Sequence, residues 1–187
     1  MPTTGNDDVS EAERLAAHAE RHKDAWQQTL EDAQAMADAR AEEGWETVVV
    51  PAGDTAPEPP EAGDSDRFGL VHVVPDNLAD EFLDLFEDAD FPVYDVYRAK
   101  DEGRVFLVTE LLDPDAGVAV YVVGTFELRD AGDLIAAAKS AGTMYTHLQR
   151  LDGTHLGSFE HDRPEKFFPK YETFEADATA TETDADE

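Results

Sequence analysis

The chain has 187 residues, with 44 acidic and 14 basic side chains and a formal net charge of −30 at neutral pH. This length suits one domain with a hydrophobic core and polar tails. The negative charge repels phosphate backbones and anionic membrane surfaces, so neither nucleic-acid binding nor membrane association is expected. The absence of cysteine excludes disulfides, thiol catalysis and cysteine-ligated metal or iron–sulfur sites.

Acidic residues occur in every segment of the chain, and only five of the 14 basic residues are lysine. A large net charge opposes compaction through self-repulsion, and concentrated salt screens much of that repulsion. The composition therefore predicts a halophilic cytoplasmic protein, whereas an acidic partner of a basic protein would carry its charge in one block. The polar N-terminus does not resemble a secretory signal, and no run reaches the roughly 18 apolar residues of a membrane span.

A long amphipathic helix is predicted near the N-terminus. The segment Ser10-Glu11-Ala12-Glu13 has the pattern of a capping box, and apolar residues then recur every three or four positions as far as about Ala41. About 30 residues at 1.5 Å each make a helix of about 45 Å. Such a helix either lies across the sheet or projects towards a second chain.

Seven stretches have the composition and turn boundaries of strands. They are 45–51, 68–75, 93–99, two runs within 104–128, 143–151 and 154–161, with short helices opening at Asp76 or Asn77 and running from Asp130 to Ala141. The proline-rich stretch 52–66 is predicted to be a loop. The order α-β-β-α-β-β-β-α-β-β defines an α+β domain with a largely antiparallel sheet and a long N-terminal helix. This domain is predicted to span residues 10–170, between disordered segments at 1–9 and 171–187.

The most hydrophobic stretch, Arg104–Leu128, contains two strands joined by a turn at 113–117. Strand residues alternate between faces, and here both faces of both strands are apolar. In an antiparallel sheet with one solvent-exposed face, apolar and polar residues would alternate along each strand. Both faces therefore need cover, with helices on one and either the long helix or a second subunit on the other. The second possibility makes a homodimer one of the expectations.

Two histidines, His18 and His22, lie one turn apart on the predicted helix, a spacing at which both rings can bind one metal ion. In the metalloprotease pattern a glutamate directly follows the first histidine, whereas here the acid is Glu20, two residues on. His22 also belongs to the apolar stripe, so ordinary packing is the alternative. We expect no metal site, and these two residues are the only weak candidates.

Three histidines, His147, His155 and His161, occur around the last predicted hairpin. A two-residue turn at Asp152-Gly153 would pair His147 with Ser158 and Arg150 with His155. In that register His155 and His161 share a face with Arg150, whereas His147 points to the other face, so the three do not form one metal site. Arg150 beside His155 either holds a small anion or forms a plain cross-strand surface pair.

The remaining candidates each have an ordinary structural alternative. Asp54 lies in a Gly-Asp-Thr turn before the proline-rich stretch and is either a ligand-binding residue or part of an ordinary loop. Arg98 lies on a strand beside aromatic residues, where it either binds a ligand or forms a structural ion pair. His72 is in line with apolar residues, which indicates a core or edge position. No phosphate-binding loop, dinucleotide fingerprint or nucleophile elbow occurs, and acids are too abundant for a catalytic pair to be inferred.

Several short motifs are familiar as a set. They are Gly44-Trp45-Glu46, Gly53-Asp54-Thr55, Asp66-Arg67-Phe68-Gly69-Leu70, Val74-Pro75, Tyr94–Ala99, Thr146-His147, His161-Asp162-Arg163-Pro164-Glu165 and Phe167-Phe168. Together they resemble a haloarchaeal family of unknown function over about residues 12–169. The resemblance implies a single domain and a halophilic source, and it implies no activity.

The sequence favours a non-catalytic protein-interaction or regulatory module that acts as a homodimer or binds another protein, with no cofactor. The alternative is a small-molecule-binding protein or hydrolase. Its site would lie between the loop after Gly53-Asp54 and the C-terminal hairpin, with binding candidates Asp54, Arg98, His147, Arg150, His155 and His161.

Overall fold

The computed structural model describes residues 4–60, 67–87 and 89–173, with side chains from Ser10 onward. Its helices are α1 (Thr4–Glu42), α2 (Asp76–Phe86) and α3 (Gly132–Ala141). Its strands are β1 (Glu46–Pro51), β2 (Asp54–Glu58), β3 (Gly69–Val73), β4 (Val93–Asp101), β5 (Arg104–Asp113), β6 (Val118–Glu127), β7 (Met144–Gln149) and β8 (His155–His161). Single-turn 3₁₀ helices occur at Leu128–Ala131 and Pro164–Phe167.

The strands form two four-stranded sheets. The first has the order β1-β6-β5-β4 and the second the order β2-β3-β7-β8. Two pairings, β1 with β6 and β3 with β7, are parallel, and the other four are antiparallel. The predicted α+β class is therefore confirmed, but the sheets are mixed, and there are two of them where the sequence indicated one.

The central hairpin of β5 and β6 is buried on both faces, as its composition indicates. On one face, Val108, Tyr121 and Val123 pack against α1 in a cluster that includes Ala33 and Ala37. The other face meets the second sheet, because two further clusters combine residues of both sheets with residues of α2 and α3. The chain's own elements thus cover both faces of this hairpin, so its composition no longer gives a reason to invoke a second subunit.

Helix α1 both crosses the first sheet and extends beyond it. It begins at Thr4, earlier than the capping box at Ser10 indicates, so part of the N-terminal segment that we expected to be disordered is helical. Residues 10–17 are exposed, and the Leu15 side chain has 64% of its surface accessible. From His18 onward the helix contacts the β4–β5 hairpin and then the first sheet.

The prediction of a loop at 52–66 is wrong in its first half, because Asp54–Glu58 forms β2. The sequence did not indicate this strand because it contains Pro57. Proline cannot donate a backbone hydrogen bond and is depleted from sheets. It is tolerated here because β2 is an edge strand that pairs only with β3. Residues 61–66 of that stretch and 174–187 of the acidic tail lie outside the described part of the chain.

The register of the last hairpin differs from the prediction by one residue near its turn. His147 does lie opposite Ser158, but a bulge then shifts the pairing so that Gln149 lies opposite His155. The Arg150 N–H donates to the Thr154 carbonyl at 2.8 Å, which closes a three-residue loop in place of the expected two-residue turn. A slip of one residue reverses the faces of a strand, so His155 projects on the same side as His147.

Candidate functional site

A histidine–serine–histidine cluster lies on the face of the second sheet that points away from the first. Ser158 Oγ is 2.6 Å from His147 Nδ1 and 2.6 Å from His155 Nε2. His147 and Ser158 face each other across the β7–β8 ladder and are partly buried, whereas His155 is exposed. The bulge in β8 creates this cluster, because without it His155 would project from the opposite face.

The backbone of Arg67 fixes the tautomer of His147. His147 Nε2 lies 2.6 Å from the Arg67 carbonyl oxygen, which can only accept a hydrogen bond. Nε2 therefore carries the ring proton, and Nδ1 accepts the hydroxyl proton of Ser158. His155 Nε2–H is then placed to donate to Ser158 Oγ. The result is a hydroxyl with a base in hydrogen-bond contact and a third group that orients the base, the arrangement of an activated nucleophile.

The environment of His147 keeps its ring neutral. Burial lowers the pKa of His147 below its ordinary value, and the hydrogen bond to the Arg67 carbonyl offsets this effect only in part. The Tyr145 ring stacks on the His147 ring with the centroids 5.7 Å apart and the planes within 8°. A neutral imidazole that is held in place in this way can accept a proton at neutral pH.

A cavity of about 410 Å³ borders the edge strand β8. Ser158 is among its lining residues, together with Tyr94 and Phe159. Three carboxylates, from Asp90, Glu160 and Asp162, also line it. The lining includes the buried His161 and neither His147 nor His155, and the acidic wall of the cavity disfavours anionic ligands.

The third predicted histidine, His161, lies on the opposite face of the sheet. It is fully buried between the sheets, and its Nε2 is 2.6 Å from Thr146 Oγ1. His72, predicted as a core or edge residue, is likewise fully buried, and its Nδ1 is 2.9 Å from Thr55 Oγ1. Both histidines therefore belong to the core and do not contribute to the outer cluster.

The other binding candidates are separated from the cluster. Arg150 forms ion pairs with Asp76 and Asp80 of α2, at 3.2 and 2.7 Å, and the register shift places Gln149, not Arg150, opposite His155. Asp54 begins β2, at the edge of the sheet opposite β8, about 14 Å away at three strand spacings. Arg98, on β4 of the first sheet, donates from Nε to the Lys166 carbonyl at 2.9 Å, which is a contact to the backbone.

Sequence reasoning missed Ser158 although the signal was present. The predicted register already placed Ser158 opposite His147. A serine hydroxyl beside an imidazole is typical of an activated nucleophile. The signal for His155 was weaker, because the bulge depends on tertiary packing. Leu156 and Gly157 are both buried at this point, so the strand turns two consecutive residues inward.

The two sheets with their covering helix define an α+β protein with a histidine–serine–histidine cluster at its β7–β8 hairpin. Residues 12–169 match a family of unknown function (DUF7529), and the chain belongs to that family. Neither the comparison with curated proteins nor that with solved structures yields a match. Within the described residues, no helix is long and apolar enough to cross a membrane.

Proposed function

We propose that this protein is a small-molecule acyl hydrolase in which Ser158 is the nucleophile and His147 its general base. The supporting observation is the pair of 2.6 Å contacts that join Ser158 Oγ to His147 and His147 to the Arg67 carbonyl. This deepens the alternative that the sequence left open, a ligand site at the C-terminal hairpin. The site is smaller than that alternative suggested, because Asp54 and Arg150 do not take part.

The reaction follows from the hydrogen bonds. Ser158 Oγ attacks the carbonyl carbon of an ester as its proton passes to His147 Nδ1, and the Arg67 carbonyl stabilises the resulting imidazolium through Nε2–H. His147 then returns the proton to the leaving group, and water hydrolyses the acyl-serine by the same route. Because the chain carries a net charge of −30, the substrate class is a neutral or cationic ester.

A fluorophosphonate probe tests the nucleophile, because an activated serine displaces its fluoride and becomes covalently labelled. We expect one label per chain, located at Ser158 by peptide mass spectrometry and absent from Ser158→Ala. His147→Gln should slow labelling by about 100-fold, the scale of general-base catalysis. Ser140→Ala is the matched control, since Ser140 is an exposed serine on α3 and should be labelled no differently from wild type.

The pH dependence of labelling provides a second readout of the same experiment. Only neutral His147 accepts a proton, and its lowered pKa keeps it neutral to more acidic pH than a free imidazole. The acid limb should therefore have its midpoint below pH 6.5. Equal labelling rates in wild type and His147→Gln, or a label on another serine, would contradict the proposal.

A protein-interaction or regulatory module is the second candidate, favoured by the projecting start of α1. This segment is helical and exposed throughout residues 10–17, including the apolar side chain of Leu15. A helix that leaves an apolar side chain in solvent is suited to contact a partner or a second copy of the chain. The net charge of −30 supports a halophilic cytoplasmic setting for either function.

Sedimentation in concentrated and dilute KCl tests both the homodimer and the halophilic setting. In multimolar KCl a homodimer would sediment at twice the monomer mass, and Leu15→Glu would return it to the monomer mass. On dilution to about 0.1 M KCl, a halophilic protein should expand as screening is lost. A monomer that sediments identically at both salt concentrations would count against the homodimer and the halophilic setting alike.

A further inference from the structure

A second group of side chains joins α1 to the tip of the β4–β5 hairpin. His18 and His22 lie one turn apart on α1, with their ring centroids 4.1 Å apart. Glu102 reaches them from the hairpin, and one ligand atom from each of the three residues lies within 4.8 Å of the others. Two elements that are far apart along the chain, α1 and the β4–β5 hairpin, thus bring two imidazoles and one carboxylate to a single point.

The two oxygens of the Glu102 carboxylate contact two different side chains. Its Oε1 accepts a hydrogen bond from Arg21 Nη1 at 2.6 Å, and its Oε2 contacts His18 Nδ1. Arg21 also lies 3.7 Å from Asp101 of the same hairpin. A basic side chain that holds one carboxylate oxygen orients the other towards a ligand, as the outer partners of metal ligands do.

His22 supplies an independent indication of a ligand. Its Nε2 is shielded from solvent and has no hydrogen-bond partner in the described structure. The ring packs near Phe106 of β5, with the centroids 6.0 Å apart. A buried ring nitrogen without a partner is unfavourable, and a metal ion at the centre of the cluster would satisfy it.

The backbone of Glu102 is a third indication. Glu102 has φ +48° and Gly103 has φ +88°, so both central residues of the hairpin turn adopt the left-handed conformation. Glycine, asparagine and aspartate are favoured at such positions, and glutamate is not. The Glu102 side chain nevertheless reaches both His18 and Arg21, and these contacts account for a residue that the turn itself does not favour.

We propose that His18, His22 and Glu102 bind a divalent transition-metal ion of the zinc class. Two imidazole nitrogens and one carboxylate oxygen form a ligand set for Zn²⁺, whereas Mg²⁺ and Ca²⁺ prefer oxygen ligands throughout. Three protein ligands leave a fourth position for water or another ligand. The ion would also fasten α1 to the β4–β5 hairpin, because its ligands come from both elements. Glu20, the acid between the two histidines in sequence, is not part of the cluster.

Zinc titration of the full chain against a chromophoric chelator tests the site. Excess Mg²⁺ occupies the many surface carboxylates, so the chelator reports only sites that select zinc. We expect one Zn²⁺ per chain and a loss of at least about 10-fold in affinity in His22→Gln and in Glu102→Gln. Glu20→Gln is the matched control, an exposed acid on the same helix turn, and it should bind zinc like wild type.

Two further measurements report the coordination of the bound ion and its effect on stability. Bound Co²⁺ should show the visible absorption of a four-coordinate site in wild type and not in Glu102→Gln, whose folding is checked by circular dichroism. Saturating Zn²⁺ should raise the melting temperature of wild type and leave that of Glu102→Gln unchanged. Undiminished zinc binding in both variants, or no zinc binding in excess Mg²⁺, would overturn the site. Loss of binding in His147→Gln and retention in His22→Gln would do the same, because the ion would then lie at the other histidine pair.

Discussion

Acidification from pH 6.5 to pH 4.5 should destabilise the folded protein by about 5 kcal/mol through His72 and His161 alone. Burial lowers the pKa of each to about 3. The mutual repulsion of the two rings is a further cause for His161. Each pH unit between the unfolded and folded pKa is worth about 1.36 kcal/mol per group, and two groups over two units give this sum.

The sign follows from which state binds the protons. Below pH 6.5 these histidines are protonated in the unfolded chain and remain neutral in the folded one, so acid favours unfolding. Their stabilising contribution is fully present above pH 6.5 and is lost as the pH falls towards 3. Among the described residues, none hydrogen-bonds to the buried His72 Nε2 or His161 Nδ1, so a proton added at either nitrogen meets no acceptor there.

Denaturant unfolding at several pH values, in constant high salt, measures this effect. Protonation of the acidic surface relieves self-repulsion and acts in the opposite direction, so the comparison must be between variants. His161→Gln keeps an amide near Thr146 but cannot titrate, and its stability should fall by about 1.36 kcal/mol less per pH unit than that of wild type. Ser140→Ala, at an exposed position and without a titrating group, should follow wild type. Parallel pH profiles for wild type and His161→Gln would refute the prediction.

Gly69→Ala should destabilise the protein by more than about 3 kcal/mol. A Cβ at Gly69 would lie 1.7 Å from the Tyr145 carbonyl oxygen and 2.5 Å from its carbonyl carbon. These are backbone atoms of β7, which cannot rotate away as a side chain would. Overpacking against side chains typically costs about 1–3 kcal/mol, and here the β3–β7 ladder itself must separate.

Gly157→Ala is the control for this substitution. Gly157 lies on β8 of the same sheet, where an added Cβ would sit 3.5 Å from the Phe159 and Phe82 rings, at ordinary contact distance. We expect its urea midpoint to stay close to that of wild type. The midpoint of Gly69→Ala should fall far below both, or the variant should fail to fold and appear only in the insoluble fraction. A soluble Gly69→Ala variant with a urea midpoint near that of wild type would contradict this prediction. It would show that the β3–β7 strands separate at little cost.

Local patterns predicted most elements but not their assembly. The alternation in β5 correctly assigned Val105 and Leu107 to one face and Phe106 and Val108 to the face that α1 covers. The end of α3 was also correct, since Gly142 has φ +72° and its N–H donates to the Ala138 carbonyl. These features are determined by neighbouring residues, which is why they could be predicted from the sequence.

The candidate site was predicted only in part, because it depends on contacts between distant residues. His147 and its partner strand residue were placed correctly, but the bulge at Leu156 reversed His155. Glu102 was not recognised as a neighbour of His18 and His22, since nothing near it in sequence indicates that α1 passes over the hairpin. The parallel pairings joined strands that are far apart along the chain, and such pairings leave no local signal.

The parallel pairing of β3 with β7 also constrains how the protein is made. During synthesis β2 and β3 emerge from the ribosome well before β7 and β8, which close the second sheet. Until then β2 and β3 can form only a two-stranded ribbon, and such ribbons are marginally stable in water. The first sheet can assemble earlier, because β1, β4, β5 and β6 all precede residue 128. A nascent chain that stops short of the last hairpin therefore lacks both the second sheet and Ser158.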